Sequence, residues 1–234
     1  MHGVQVRPRT VLIATVVVFA AIGSAAGSAS AKNAPSDKAL LKAGVLVARD
    51  LPRGWKSRPV SLGTTNTLKG VSGCEEQSPA LDLEQRRAPS RGFYDPVTPQ
   101  GGIDSQASNV ARVFKNAALA DQFLSSYKAA SAAPCLQQTN ESEFKRRNPN
   151  ADVALTNFAP LSGFATIGDD SAGYGGVITA STTQQGAISG PLDLIYIRVG
   201  RAVLGFKLIL QGEDPSQLTD IISHPVERVA KAQR

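Results

Sequence analysis

LDLIYIRVGRAVLGFKLIL, residues 192–210, is the most strongly patterned stretch of the chain. Two apolar runs, Leu192–Val199 and Ala202–Leu210, flank Gly200-Arg201. A two-residue connection in which Gly supplies a positive φ is a hairpin turn. That register sets Val199 opposite Ala202, Ile197 opposite Leu204 and Ile195 opposite Phe206. One face of the hairpin is then wholly apolar and must pack on helices, because a one-residue slip would turn it to solvent. The other face carries Tyr196, Arg198 and Lys207 among apolar residues and is expected to be partly open to a ligand.

Three further strands are expected at Gln106–Phe114, Ala151–Phe158 and Gly173–Thr183. After the first, Asn116 sits at a helix N-cap, and Ala120, Phe123, Leu124 and Tyr127 fall on one helical face. Pro134 is expected to end that helix. Asp214-Pro215 reads as a cap followed by proline at the first position of a C-terminal helix. Leu218, Ile221 and Ile222 form its buried face, and Pro225 should kink or restart it. At the other end, Ser36 caps a helix carrying Leu40, Leu41, Val45 and Leu46, which should stop near Asp50-Leu51-Pro52. Trp55 then opens an extended segment. Residues 60–105 are rich in Gly, Pro, Ser and charge and read as long loops with one short helix near Pro79–Arg87. Strands follow one another without alternating helices. The expected class is therefore α+β, one domain with a twisted, mainly antiparallel sheet flanked by helices.

The N-terminus reads as a targeting segment. His2, Arg7 and Arg9 precede an apolar run from Val11 to Ile22, and Ala29-Ser30-Ala31 supplies a small-x-small cleavage pattern. The run is short for a membrane span, which needs about 20 residues. The chain divides into a signal peptide over 1–31, a polar leader over 32–38 and the domain over 39–234. A retained N-terminal anchor is the alternative. Either reading places the domain outside the cytoplasm, secreted or in the cell envelope. Of the net charge of +6, the signal segment holds two arginines and no acids, which leaves +4. That is mild for a nucleic-acid binder, and with 6% aromatic residues there are few stacking platforms. Arg86-Arg87 and Lys145-Arg146-Arg147 are the basic clusters that could touch an anionic membrane or wall surface. Cys74 and Cys135 are the only cysteines. In an exported protein they make one disulfide across 61 residues, worth about 4 kcal/mol in the chain-entropy picture. No metal or cofactor is expected, since His224 is the only histidine beyond the signal segment.

IGDDSAGYGG, residues 167–176, holds the most enzyme-like letters. A nucleophile elbow needs glycine two places before the serine, where Asp169 stands, and a strand–turn–helix context. The only histidine for Ser171 would be His224, with Asp193, Glu213 or Asp214 as the acid. Calcium would need regularly spaced oxygen ligands, whereas Asp169, Asp170 and Ser171 are consecutive. The stretch reads as a strand-connecting turn made by Gly168 and Asp169. Glu75 and Glu76 read as a solvated loop beside Cys74 rather than a glycosidase pair. Asn140-Glu141-Ser142 matches the glycosylation triplet.

Several motifs recur together. They are Leu40-Leu41 leading to Asp50-Leu51-Pro52-Arg53-Gly54-Trp55, then Val110–Phe114 running into the helix before Cys135. Gly168–Ala172 and Tyr196–Arg201 complete the set. In this order they resemble an exported actinobacterial sensor-domain family, related to the extracellular domains of mycobacterial serine/threonine kinases of the PknH type. The resemblance spans about Leu40 to Val229. It implies a helix-flanked antiparallel sheet with a cleft for a small molecule and no catalytic residues. The chain has two cysteines where those ectodomains tend to have two disulfides. The expected function is an exported, non-enzymatic ligand- or partner-binding domain, with Trp55, Tyr196 and Arg198 as cleft residues. The alternatives are an envelope protein that holds polyanions through its basic clusters and, least favoured, a secreted serine hydrolase.

Overall fold

The computed structural model describes residues 35–59, 72–97, 102–164, 166–182, 186–212 and 215–234. The signal segment, the leader up to residue 34 and the Asp214 cap lie outside the described residues. In chain order the N-terminal elements are α1 (Asp37–Gly44), a 3-10 turn at Ala48–Asp50, and β1 (Lys56–Arg58). Next come α2 (Gln77–Ala80), a 3-10 turn at Leu81–Leu83, β2 (Glu84–Pro89), β3 (Gly92–Tyr94) and β4 (Gln106–Phe114). Two helices follow, α3 (Ala117–Ser126) and α4 (Ala132–Arg147). The chain closes with β5 (Asp152–Pro160), β6 (Asp170–Thr182), β7 (Gly186–Val199), β8 (Ala202–Ile209) and α5 (Pro215–Ala232).

β7 and β8 form the expected hairpin in the expected register, Val199 with Ala202 and Ile195 with Phe206. Gly200 takes φ +53 in the turn. The hairpin lies inside an antiparallel sheet ordered β1-β3-β4-β8-β7-β6-β5. β2 joins the edge of β4 beyond β3: β3 pairs at Gln106–Ala107 and β2 at Val110–Phe114.

Helices cover both faces. On one, Leu40 of α1 and Ile222 and Val229 of α5 pack with Ile195, Ile197, Leu204 and Phe206. On the other, Phe123, Leu124 and Tyr127 of the α3 region and Leu136 of α4 pack with Phe114, Ile178 and Val203. The hairpin face expected to be partly open is therefore largely roofed: Tyr196 is half-buried, its ring 4.2 Å from that of Tyr127 between centroids.

Side chain to backbone bonds set the element ends. Ser36 accepts from the Ala39 amide at 3.2 Å and Asn116 from the Leu119 amide at 2.9 Å, as their N-cap positions require. The first helix ends at Gly44, earlier than expected. Buried Asn109 explains this: its amide donates to the Gly44 carbonyl at 2.7 Å and accepts from the Leu46 amide at 2.8 Å, holding the chain out of the helix. A side chain at Gly44 would meet Leu204 at 2.6 Å. The Arg228 guanidinium grips Asp50 through two bonds of 2.6 and 2.9 Å and donates to the Ala43 and Val45 carbonyls. It ties α5 to the exit of α1.

Three other expectations need correction. The 60–105 region holds β2 and β3 among its described residues, and Arg86-Arg87 lie on a strand instead of in the expected helix or loop. Pro134 does not end a helix. It sits in the first turn of α4, where its missing N–H would have had no partner. Pro225 lies inside α5, which runs from Pro215 to Ala232 without a restart.

Cys74 and Cys135 form the disulfide, both fully buried, with Cα atoms 4.9 Å apart. It fixes the first turn of α4 to the segment before α2. Farther along, α4 covers the edge strand β5: Gln137 donates to the Leu155 carbonyl and Glu141 accepts from the Leu155 amide, each at 2.7 Å. Asn140 is buried within α4 and donates to the Leu136 carbonyl at 2.8 Å, so the glycosylation triplet is closed to modification in the fold.

Two stability outcomes follow. Asp50→Ala leaves the Arg228 charge without its partner and should cost about 3 kcal/mol, read as a lowered urea midpoint with an unchanged slope. A Cys74→Ala/Cys135→Ala variant should lose about 2–5 kcal/mol by the same measurement.

Candidate functional site

The residues expected to line a cleft do not converge. Trp55 is half-buried and packs against the cluster shared by α1 and α5. Tyr196 packs in the opposite cluster under α3. Arg198 is taken up by carboxylates, 3.4 Å from Asp121 and 3.4 Å from Asp169.

The enzyme-like stretch folds as a turn leading into β6. Gly168 has φ +77, and a Cβ there would lie 2.5 Å from Ile197 and 2.6 Å from the Arg198 carbonyl. The Asp169 amide donates to the Arg198 carbonyl at 2.8 Å, and its carboxylate accepts from the Gly200 amide at 2.6 Å. Asp170 pairs with Lys128. Ser171 is a strand residue opposite Ile197, and His224 stands exposed on α5. Glu75 accepts from the Gly73 amide at 3.0 Å and Glu76 from the Ser131 hydroxyl at 2.6 Å, so both serve the local chain path. Among the described residues no group of three or more His, Cys, Asp or Glu is placed to hold a metal ion. No helix among them is long and apolar enough to cross a membrane.

The two basic clusters lie at opposite ends of β4. Arg86 and Arg87 sit opposite Val113 and Arg112, and they face Asp37 at 3.7 Å and Glu84 at 3.5 Å. Lys145, Arg146 and Arg147 form the last turn of α4, where cations complement the helix dipole.

Arg146 and Arg147 help to enclose a cavity of about 260 Å³ between that last turn and the sheet. Lys207 of β8 and Gln106 and Ser108 of β4 rise from the sheet into it, and Arg58 of β1 closes the facing wall. Ile209 and Phe144 supply apolar lining, and Phe93 borders the cavity with its side chain packed in the cluster on the other face of the sheet. The Lys207 ammonium donates to Glu143 Oε2 at 2.8 Å and lies 4.8 Å from the Phe144 ring centroid. Arg147 bonds the other oxygen, Glu143 Oε1. Arg58 donates to the Gln106 amide oxygen at 2.7 Å and lies 5.2 Å from the Tyr94 ring centroid.

Among the described residues four cations thus face one carboxylate, beside an apolar wall. Burial pushes the Glu143 carboxyl up, but hydrogen-bonded Lys207, with Arg147 and Arg146, outweighs it and holds the group below the usual carboxylate range. Burial pushes the Lys207 ammonium below the usual lysine range, opposed by Glu143. Sequence reasoning named Arg146 and Arg147 but missed the cavity, whose walls come from residues about 150 positions apart. Lys207, a cation inside an apolar strand, was the signal it did read, on the hairpin face expected to be partly open to a ligand.

No protein-family model matches the sequence, and no curated protein matches it. Among solved structures, the chain is similar to the extracellular domain of PknH from Mycobacterium tuberculosis. The identity is 14%, with 85% of this chain and 99% of that one covered and a TM-score of 0.45. It is also similar to cyanobacterial PsbP from Synechocystis sp. PCC 6803, at 10% identity over 81% of this chain and 91% of that one, with a TM-score of 0.39.

Because the folded-state pKa of Glu143 is depressed, its stabilisation is present above the unfolded value of about 4.3 and is lost as pH falls through the folded value. Glu143→Gln should therefore cost about 1–2 kcal/mol at pH 7. That difference from the natural protein should shrink toward zero in acid, measured by urea unfolding across a pH series.

Proposed function

We propose that the chain is an exported, non-catalytic binding domain of a cell envelope, of the sensor type its motifs resemble. Its ligand is a small anionic molecule held between α4 and the sheet. The observation that carries this reading is the charge imbalance of the cavity among the described residues, with Arg58, Arg146, Arg147 and Lys207 facing Glu143 alone. Among the described residues the lining holds no histidine and no free thiol; it offers charge and apolar surface, which are the means of binding. The disulfide supports an oxidising compartment, where such bonds persist, and the basic, apolar and small-residue order of the N-terminus supports the same route.

The competing partner is an envelope polyanion. A polymer would draw on Lys145 and Arg86 as well as on the cavity, and its hold would weaken steeply with salt.

The test is native mass spectrometry of the full chain exported by its own cells, with extraction of whatever it carries. The expected result is a reproducible small-molecule adduct bearing a carboxylate or phosphate, lost from Lys207→Met and Arg58→Met variants. A bare protein mass, with no saturable binding across lipids, glycans and peptides, overturns the reading.

A further inference from the structure

The cavity carries its own anion. Glu143 projects from the last turns of α4 and presents one carboxylate oxygen to Lys207 and the other to Arg147. Two cations from different elements therefore share a single carboxylate, the arrangement a bound anion would adopt in their fork. Arg58 and Arg146, on the same cavity, form no close salt bridge among the described residues, and Arg146 acts on Glu143 only at longer range. Arg58 instead spends its bond on a neutral amide, Gln106. The site is thus short of negative charge even with Glu143 in place. Ile209 and Phe144 form an apolar wall beside the charged end.

We infer that Glu143 is a built-in stand-in for the ligand's anionic group. The ligand is an amphiphile with one compact anion, a carboxylate or a phosphate monoester, joined to a short apolar body. This rests on the binding reading given above. The anion takes Arg58 and Arg146 and competes with Glu143 for Lys207 and Arg147, while the apolar body covers Phe144 and Ile209. A cavity of about 260 Å³ has room for a headgroup and a short chain. Glu143 sets the affinity: its carboxylate neutralises Lys207 in the empty state, and the ligand must displace it. Removing the Glu143 charge should tighten binding, whereas removing an ordinary lining residue loosens it.

The experiment titrates the full exported chain with octyl phosphate, octanoate and inorganic phosphate, followed by calorimetry and by backbone amide NMR. Vesicles containing phosphatidylglycerol form a fourth arm. The natural protein should bind the two octyl compounds, with shifts centred on Gln106, Phe144 and Lys207, and bind inorganic phosphate at least about tenfold more weakly. Glu143→Gln should bind octyl phosphate about tenfold more tightly, and Lys207→Met and Arg58→Met at least about tenfold more weakly. In the natural protein, the Glu143 Cδ resonance should move as octyl phosphate saturates, a readout that does not depend on any variant folding.

The arms separate the possible failures. Cleft-centred binding with an unmoved Glu143 resonance, or with Glu143→Gln binding no tighter, overturns the stand-in role and leaves the binding domain intact. Inorganic phosphate binding as well as octyl phosphate overturns the apolar half of the ligand. Binding to vesicles but to none of the soluble probes makes the site a membrane contact and overturns the small-ligand assignment. Binding of nothing in any arm overturns the cleft as a binding site altogether.

Discussion

The β7–β8 hairpin must be covered on both faces, and the rest of the domain is arranged to meet that demand. Ile195, Ile197 and Leu204 are fully buried under α1 and α5. Val203 on the reverse side is fully buried under α3. Burying such a side chain is worth about 1.5–3 kcal/mol, so leaving either face open would remove much of the net stability of a domain this size. A two-sided sheet needs helices from both ends of the chain, and the order of elements supplies them: α1 and α5 come from the two termini, α3 and α4 from the middle.

Polar latches then fix where those helices sit. Arg201, at the hairpin turn, donates to Asp37, to the Phe114 carbonyl and to the Pro35 carbonyl. One guanidinium thereby joins the start of α1, the end of β4 and the tip of the hairpin. Arg228 does the same work between α5 and the exit of α1. Each of these arginines is half-buried and well bonded, which is how a protein keeps a charge near its core without an unpaired group.

Strong local signals in the sequence were readable. The hairpin register follows from period-2 alternation on either side of Gly200, and β4 appears residue for residue as expected. Ser36 and Asn116 act as the caps their positions suggest, and a chain with two cysteines leaves one intramolecular pairing. β2 and β3 were not readable. β2 is six mostly polar residues at the edge of β4, and β3, between β1 and β4, is only three residues long, so neither carries an alternation of its own. α4 was hidden for a different reason: most of its surface is polar, and its proline sits where proline is tolerated. Part of the candidate site was visible as Arg146-Arg147 and Lys207. Their meeting with Arg58 and Gln106 was not, because it comes only through the antiparallel path of β1, β3, β4 and β8.

The way α4 lies along β5 has a consequence for how these molecules behave in company. The outward-facing amide and carbonyl of Leu155 are already taken by Glu141 and Gln137, one helical turn apart. Asn157, two residues on, has φ 54 and breaks the even course of the strand, and the ladder to β6 shifts register there. A stranger's extended segment approaching this edge would have to strip off two good bonds before making its first, then follow a bent template. The margin of the sheet therefore resists growth: copies crowded together are kept from knitting into a continuous ribbon, and the helix that walls the cleft is the same one that seals the border.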